Sequence, residues 1–160
     1  MYIPYYPSNW EALKKLIKIL NLPAGTRFVD LGSGGGRVLA VVSKEYDDIE
    51  VYGVEKNPYL IEASRRYLDR YRLKAKIIQG DLFSTDLSRF DVVYGYLTVD
   101  ALKSLRDRII RFIDSGKVFI TLDFNIPGLK PAYIVKIDSW PGRHRLNIYG
   151  KRGIKRYINL

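Results

Sequence analysis

The sequence predicts an α/β protein with a Rossmann-like, mostly parallel sheet and helices on both faces. Two observations lead to this fold class. Short runs of β-prone apolar residues alternate with longer segments in which apolar residues recur at helical spacing. The first run, Phe28-Val29-Asp30-Leu31, breaks into a glycine-rich turn at residues 32–36, and a helical pattern follows at once. Such a turn presents backbone N–H groups to an anionic or polar ligand.

The N-terminal residues 1–8 are predicted to be extended, because two of them are prolines. We expect this segment to fold over the functional site as a lid. A first helix follows, since Ser8 and Glu11 form an S-x-x-E capping box. Its apolar face carries Leu13, Leu16, Ile17 and Leu20.

The middle of the chain continues the alternation of strands and helices. Predicted strands cover residues 50–55, 75–79 and 90–94. Asn57 and Pro58 fit the N-cap and the first position of the helix after the first of these strands. Thr98 is expected to cap the helix after the third strand, and Gly116 to end it.

The C-terminal part departs from this alternation. Strands are predicted at residues 117–124 and 132–138, and the seven residues between them are too few for a crossover helix. The sequence therefore predicts a shortened connection, and it leaves the direction of the sixth strand open. Residues 145–149 are expected to return as an antiparallel strand, and the final ten residues to be partly mobile.

Composition limits the classes of function. The chain has 160 residues, enough to bury most of a single core, and we expect residues 1–160 to form one domain. It has no cysteine and a single histidine, His144, so disulfides and thiolate sites are excluded and no metal is expected. No apolar run of about 20 residues and no signal peptide is visible. The expectation is a monomeric, cytoplasmic protein without a membrane span.

The net charge of +10 is unevenly distributed along the chain. Residues 143–156 contain six Lys or Arg and no acidic residue. Such a segment can attract nucleic acid or another acidic partner. It can equally be solvated basic surface that binds nothing specific, and both interpretations stay open.

The glycine turn distinguishes between three ligand classes. A P-loop requires a Gly-Lys-Ser or Gly-Lys-Thr step, which occurs nowhere in the chain. A dinucleotide fingerprint that starts at Gly32 requires a small residue at position 37, where the chain has Arg37. The pattern that fits is acidic-x-G-x-G-x-G, formed by Asp30, Gly32, Gly34 and Gly36.

Two acidic residues further along the chain extend this pattern. Glu55 ends the second predicted strand about 20 residues after the glycines, where a carboxylate can accept hydrogen bonds from both hydroxyls of a ribose. Asp81 lies in the G-D-L-F step directly after the third predicted strand. The three motifs together indicate an extended, nucleotide-like ligand.

With these motifs in this order, the chain resembles the class I, or seven-β-strand, methyltransferases that depend on S-adenosylmethionine (SAM). The resemblance covers nearly the whole chain, and it implies SAM as cofactor and S-adenosylhomocysteine as product. It implies that Asp30 and the turn hold the methionine part, that Asp81 meets the adenine amino group, and that Leu82 packs on the ring. The full set of implied cofactor-binding residues is Asp30, Gly32, Ser33, Gly34, Gly36, Glu55, Lys56, Asp81, Leu82 and Tyr94.

A narrower resemblance is carried by three short motifs. The aromatic P-x-x-P segment at residues 4–7, the Y-L-T step at residues 96–98 and the I-P-G-L-K-P run at residues 126–131 look like the small archaeal broad-specificity protein lysine methyltransferases. They are also similar to the related mitochondrial lysine methyltransferases. This resemblance implies methyl transfer to the ε-amine of a protein substrate with exposed lysines.

The acceptor side is expected at the carboxyl ends of the fourth and fifth strands. The candidate catalytic residues are Tyr96, Asp100 and Asp123, and the candidate substrate-binding residues are Tyr5, Tyr6, Tyr96 and Thr98. A purely structural interpretation exists for each of them, such as stabilisation of a helix N-terminus by an acidic side chain. The base-methylating signature [DNS]-P-P-[YFW] is absent from residues 94–97. A methyltransferase of other RNA sites or of small molecules, and a non-catalytic nucleic-acid-binding module with this fold, remain as alternatives.

Overall fold

Seven strands form one sheet in the computed structural model, which describes residues 4–160. The strands are β1 (Arg27–Leu31), β2 (Glu50–Glu55), β3 (Lys76–Gln79), β4 (Val92–Gly95), β5 (Val118–Leu122), β6 (Tyr133–Asp138) and β7 (Arg143–Tyr149). The helices are α1 (Trp10–Ile19), α2 (Arg37–Glu45), α3 (Pro58–Arg70), α4 (Val99–Asp114) and α5 (Ile154–Tyr157), with short 3₁₀ turns at Leu82–Ser84 and Leu87–Arg89. The first three residues of the predicted lid segment lie outside the described range.

The strand order is β3-β2-β1-β4-β5-β7-β6. The first five strands are parallel, and β7 runs antiparallel between β5 and β6. The sixth strand is therefore parallel to β5, which settles the direction that the sequence left open. Residues 123–132 connect them without a helix, because the connection only has to pass the position of β7. The predicted fold class and its shortened connection are confirmed.

Two apolar clusters cover the two faces of the sheet. On one face α1, α2 and α5 pack against the strands, and on the other face α4 does so. Strand residues alternate between the clusters: Phe28 faces the first and Val29 the second. All residues of β4 and β5 are buried, as expected for central parallel strands covered on both sides.

The first helix begins differently from the prediction. Asn9, not Ser8, is its N-cap, and the Asn9 side chain accepts hydrogen bonds from the backbone N–H groups of Glu11 and Ala12 at 2.9 and 3.2 Å. The predicted capping box is therefore wrong. Ser8 is buried instead, and its hydroxyl lies 2.8 Å from the hydroxyl of Tyr94 on β4. A buried phenol requires a hydrogen-bond partner, and Ser8 supplies it.

The C-terminal residues are packed, so the prediction of a partly mobile end is wrong. Ile154, Tyr157 and Ile158 are buried against the same cluster as α1. The backbone N–H of Asn159 donates to the carbonyl of Ile19 at 2.8 Å. The sequence pattern did not reveal this, because the partner of the C-terminus is a helix at the other end of the chain.

None of the helices among residues 4–160 is long and apolar enough to cross a bilayer.

Asp91 ties three strands together at the amino ends of β1, β4 and β5. Its carboxylate accepts hydrogen bonds from the backbone N–H and the guanidinium of Arg27, at 2.8 to 3.2 Å, and contacts the ammonium group of Lys117. Burial alone would raise the pKa of Asp91, but the hydrogen bonds from Arg27 and Lys117 outweigh it and lower that pKa to about 2. The ionised carboxylate thus stabilises the end of the sheet opposite the glycine turn.

This network predicts a specific loss of stability in acid. Because the folded-state pKa lies below the unfolded value, the contribution of Asp91 is complete above about pH 4 and is lost as the pH falls toward 2. We expect it to amount to about 2 kcal/mol. Denaturant unfolding at pH 5 and pH 2 measures this, and Asp91→Asn should remove that part of the pH dependence. The exposed Asp107→Asn is the matched control. An equal pH dependence in wild type and Asp91→Asn would contradict the account.

Candidate active site

The glycine turn between β1 and α2 is fixed by backbone geometry and by close packing. The N–H groups of Gly32 and Ser33 donate to the carbonyl of Val54 at 2.8 and 3.0 Å, which ties the turn to the end of β2. Gly36 has a φ of 84° and is the N-cap of α2. A Cβ atom there would lie 2.8 Å from Cβ of Ser64 on α3, so only glycine fits.

Glu55, the last residue of β2, also binds the turn. Its carboxylate accepts hydrogen bonds from the backbone N–H groups of Gly34, Lys56 and Asn57, at 2.9, 2.9 and 3.0 Å. An ionised carboxylate has about four acceptor sites, so three amides leave capacity for a ligand hydroxyl. Glu55 also lines the main cleft beside the turn.

Asp30 lies at the carboxyl end of β1 and is buried. Burial, and secondly the negative charge of Glu55, raise the pKa of Asp30 well above its usual value. A cationic ligand group placed beside this carboxylate would favour its charged form. The neighbouring hydroxyl of Ser33 is buried and has no hydrogen-bond partner among the described residues. A buried carboxylate and an unpaired hydroxyl at one turn fit a polar, partly cationic ligand such as the methionine part of SAM.

The main cleft, of about 170 Å³, extends from the glycine turn along the ends of β2 and β3. Lys56, Asp81 and Leu82 line it together with the apolar side chains of Leu60, Phe83 and Leu97. Asp81 caps the 3₁₀ turn that follows, because its side chain accepts a hydrogen bond from the N–H of Phe83 at 2.8 Å. The structure thus brings the predicted adenosine-side residues to one cleft.

The N-terminal segment lies across the glycine turn. The N–H of Gly35 donates to the hydroxyl of Tyr5 at 3.4 Å, and the ring of Tyr5 occupies the space beside Gly34. Tyr6 lines the same cleft. The base of the segment is anchored by Arg37, whose guanidinium donates to the carbonyl of Ser8 at 2.9 Å.

Several of the predicted residues do not line the main cleft. Asp30 and Ser33 line a smaller pocket instead, and six others line neither: Gly34, Gly36, Tyr94, Thr98, Asp100 and Asp123. Tyr94 lies in the core, where its hydroxyl pairs with Ser8 and burial raises its pKa above the usual value. The hydroxyl of Thr98 accepts a hydrogen bond from the N–H of Ala101 at 3.2 Å, as the N-cap of α4. Asp100 is exposed in the first turn of α4, where a carboxylate stabilises the helix N-terminus.

Tyr96 follows strand β4 directly. It lines the cleft, and its ring stacks on that of Phe124 with the centroids 6.3 Å apart. Burial, and then the adjacent carboxylate of Asp123, raise the pKa of Tyr96, which keeps its hydroxyl protonated. The sequence predicted Tyr96 and Asp123 above the carboxyl ends of the strands, and the structure has Tyr96 directly after β4 and Asp123 directly after β5.

His144 is a functional candidate that the sequence analysis missed. Its Nδ1 atom lies 2.8 Å from Oδ2 of Asp123 and 3.1 Å from Oδ1. The two residues meet because β7 pairs antiparallel with β5 and begins where β5 ends. Only the sheet order could have revealed this, since they are far apart in sequence. Among residues 4–160, no group of three or more His, Asp or Glu side chains converges as a metal site would require.

Comparison with known proteins identifies the family of this chain. The family model described as the ANTKMT methyltransferase domain matches residues 30–133, which include the glycine turn, Glu55, Asp81 and Tyr96. The chain belongs to this methyltransferase family. It is 23% identical over 150 residues to a protein-lysine N-methyltransferase from Saccharolobus islandicus (strain REY15A), covering 92% of this chain and 93% of that protein.

Two further relatives extend the comparison. A human lysine N-methyltransferase, named for a subunit of ATP synthase, is 24% identical over 134 residues, which cover 82% of this chain but only 56% of that protein. An RNA methyltransferase from Salinibacter ruber, solved with S-adenosyl-L-homocysteine, has the same fold, with a TM-score of 0.77, 22% identity and coverage of 92% of this chain and 95% of that chain. The protein is a methyltransferase that uses SAM.

Packing around Gly36 makes a testable prediction. Gly36→Ala introduces a Cβ atom against Ser64 and places alanine at a positive φ, so we expect a loss of about 2 kcal/mol in the free energy of unfolding. For a protein of this size, Tm should fall by about 4 to 8 °C. Gly142→Ala is the matched control, because a Cβ atom there meets no atom within 4 Å. Equal Tm values for the two variants would show that the turn does not require glycine.

Proposed function

We propose that this protein transfers the methyl group of SAM to the ε-amine of lysine side chains in a protein substrate. One structural feature carries the proposal. The ring of Tyr96 lines the cleft and stacks on the ring of Phe124, and the carboxylate of Asp123 lies next to Tyr96. Aromatic faces and a carboxylate attract an ammonium group, and each aromatic contact contributes about 0.5 to 2 kcal/mol. The relatives named as lysine methyltransferases support the same acceptor.

The cofactor residues are proposed from the same geometry. Asp30 would face the amino group of the methionine part, and the amides of the glycine turn with Ser33 would contact its polar atoms. Glu55 would bind both ribose hydroxyls through the acceptor capacity that its three amide contacts leave free. Asp81 would accept from the adenine amino group, with Leu82 against the ring and Lys56 at the rim.

Methyl transfer of this kind depends on positioning. SAM supplies an electrophilic methyl group on a sulfonium, and the lysine nitrogen must approach it in line. The protein contributes by holding the two groups in this alignment and by excluding water. In well-oriented cases these effects lower the activation barrier by up to about 7 to 11 kcal/mol. Tyr5 and Tyr6 lie over the cleft and would provide that cover. The acceptor must also lose a proton, because an ammonium group has no lone pair.

The basic C-terminal segment gives little support to a nucleic-acid substrate. Arg143 contacts Asp138, and Lys151 contacts Asp114. Arg145 donates to the carbonyl of Asp123 at 3.0 Å. Half of the six basic residues of the segment thus have partners within the chain.

The monomeric state and the cytoplasmic location stay predictions. We propose that the whole chain is one domain, because both apolar clusters share one sheet.

The cofactor assignment predicts two variants with weakened SAM binding. Asp30→Ala and Glu55→Ala each remove a carboxylate that would contact the cofactor, so Kd for SAM should rise at least tenfold, or about 1.4 kcal/mol. Isothermal titration calorimetry measures this. Glu62→Ala is the control, because Glu62 is exposed on α3 and its side chain pairs with Arg66. Unchanged affinity in both site variants would refute the site.

The acceptor assignment predicts where a labelled methyl group appears. After incubation of a cell lysate with the protein and labelled SAM, label should survive ribonuclease, be lost on protease treatment, and appear as methyl-lysine after acid hydrolysis. With labelled SAM kept below the wild-type Kd, Glu55→Ala should add at least tenfold less label than the wild-type protein, over the background of the lysate alone. Label found only in RNA or in small molecules would overturn the lysine acceptor while leaving the methyltransferase assignment intact.

A further inference from the structure

We propose that His144, held by Asp123, takes the proton that the acceptor lysine must lose before methyl transfer. This inference rests on the proposed lysine acceptor. It concerns a residue that the sequence analysis did not identify and that lies after residues 30–133, the part that the family model matches.

The contact between the two side chains defines the base. An ionised carboxylate can only accept hydrogen bonds, so Nδ1 of His144, at 2.8 Å from Oδ2 of Asp123, carries the hydrogen in the neutral ring. The other ring nitrogen, Nε2, then has the free lone pair. The N–H of Arg145 also donates to Asp123 at 3.1 Å, which fixes the carboxylate. This is the orientation of a histidine base by an acidic partner, in which the carboxylate stabilises the imidazolium that forms.

The backbone at Asp123 is strained in a way that serves this contact. Asp123 has a φ of 65°, and the N–H of Phe124 donates to the carbonyl of Leu122 at 2.8 Å, as in the rare γ-turn. Strain of this kind costs about 1 to 3 kcal/mol and persists only where the surroundings enforce it. The other described non-glycine residue with positive φ, Arg72, follows helix α3, where this conformation is ordinary.

Buried polar groups enforce the strained turn. The hydroxyl of Thr121 donates to the carbonyl of Phe124 at 2.7 Å, and the side-chain amide of Asn147 donates to Thr121 at 3.1 Å. The N–H of Asp123 donates to the carbonyl of Arg145 at 2.8 Å. The turn directs the carboxylate of Asp123 to His144. The next residue, Phe124, stacks on the ring of Tyr96, which lines the cleft.

The proton and electron balance of the step is simple. A proton passes from the lysine ammonium to Nε2 of His144, directly or through one water, and leaves the amine with a lone pair. That pair forms the new N–C bond as the C–S bond breaks, and the electrons of the C–S bond stay on sulfur. The amine nitrogen loses its second proton to solvent, or stays charged as the methylated ammonium, and the imidazolium returns its proton to solvent.

Few other charges act on His144. On the same face of β7, its neighbour on β6 is Ile137, and the flanking side chains of β7, Arg143 and Arg145, point to the opposite face. On that opposite face, Asp138 of β6 is paired with Arg143, and Lys136 of β6 is paired with Arg145. Helix α1 packs on the face of His144 and carries Glu11, Lys14, Lys15 and Lys18. None of these residues forms an ion pair with His144 among the residues that the structure describes.

The test compares pH profiles of lysine methylation. His144→Asn keeps a side-chain amide near the position of Nδ1, so Asp123 stays paired, but it removes the base. The variant and the wild-type protein are compared on the same lysine-containing protein substrate. At pH 7, kcat/KM should be about 10²-fold lower in the variant. The loss should shrink toward pH 10, where the free amine forms unaided. Added imidazole should restore part of the rate. The exposed Arg143→Gln is the control and should match wild type.

Two results would overturn the role of His144 alone, and a third would overturn the proposed function as well. A purely structural ion pair predicts a lower Tm for His144→Asn with an unchanged shape of the pH profile, and that result would overturn the inference. A rate within twofold of wild type at every pH would overturn it as well. If the wild-type protein methylates no lysine at any pH, the proposed function fails, and the role of His144 fails with it.

Discussion

The carboxylate of Glu55 is the interaction on which the site depends. By accepting three backbone hydrogen bonds, it joins the glycine turn after β1 to the end of β2 and the start of α3. Glu55 also lines the main cleft, and Tyr5 lies against Gly34, whose N–H donates to Glu55. A carboxylate already held in place needs little ordering when a ligand arrives, so more of the contact energy remains as affinity.

The two halves of the site have different origins in the fold. The proposed cofactor half comes from β1, β2 and β3, whose parallel carboxyl ends bring Asp30, Glu55 and Asp81 to one edge of the sheet. The proposed acceptor half comes from β4, β5 and β7, and it depends on pairing between segments that are distant in sequence. Ser8 connects the halves, since its hydroxyl meets Tyr94 on β4 while its carbonyl accepts from Arg37 at the start of α2. The segment over the cleft is thus anchored to both sides.

Local signals explain what the sequence could predict. Glycines, an N-cap at Asn57 and an acidic strand end at Glu55 act within a few residues of their effects, and the structure agrees with all of them. The sequence-based predictions failed where the interacting residue was distant in sequence. Ser8 was predicted to cap α1 but pairs with Tyr94, and the C-terminal end packs on α1. His144 became a candidate only when the antiparallel pairing of β7 brought it to Asp123.

A crystal structure of the protein with S-adenosylhomocysteine would test the role of Glu55 directly. Both ribose hydroxyls should lie within about 3.2 Å of the Glu55 carboxylate, which should keep its hydrogen bond from the N–H of Gly34. The adenine should lie against Leu82 with its amino group at Asp81. A ribose held by other side chains, with Glu55 bonded to backbone amides alone, would contradict the claim.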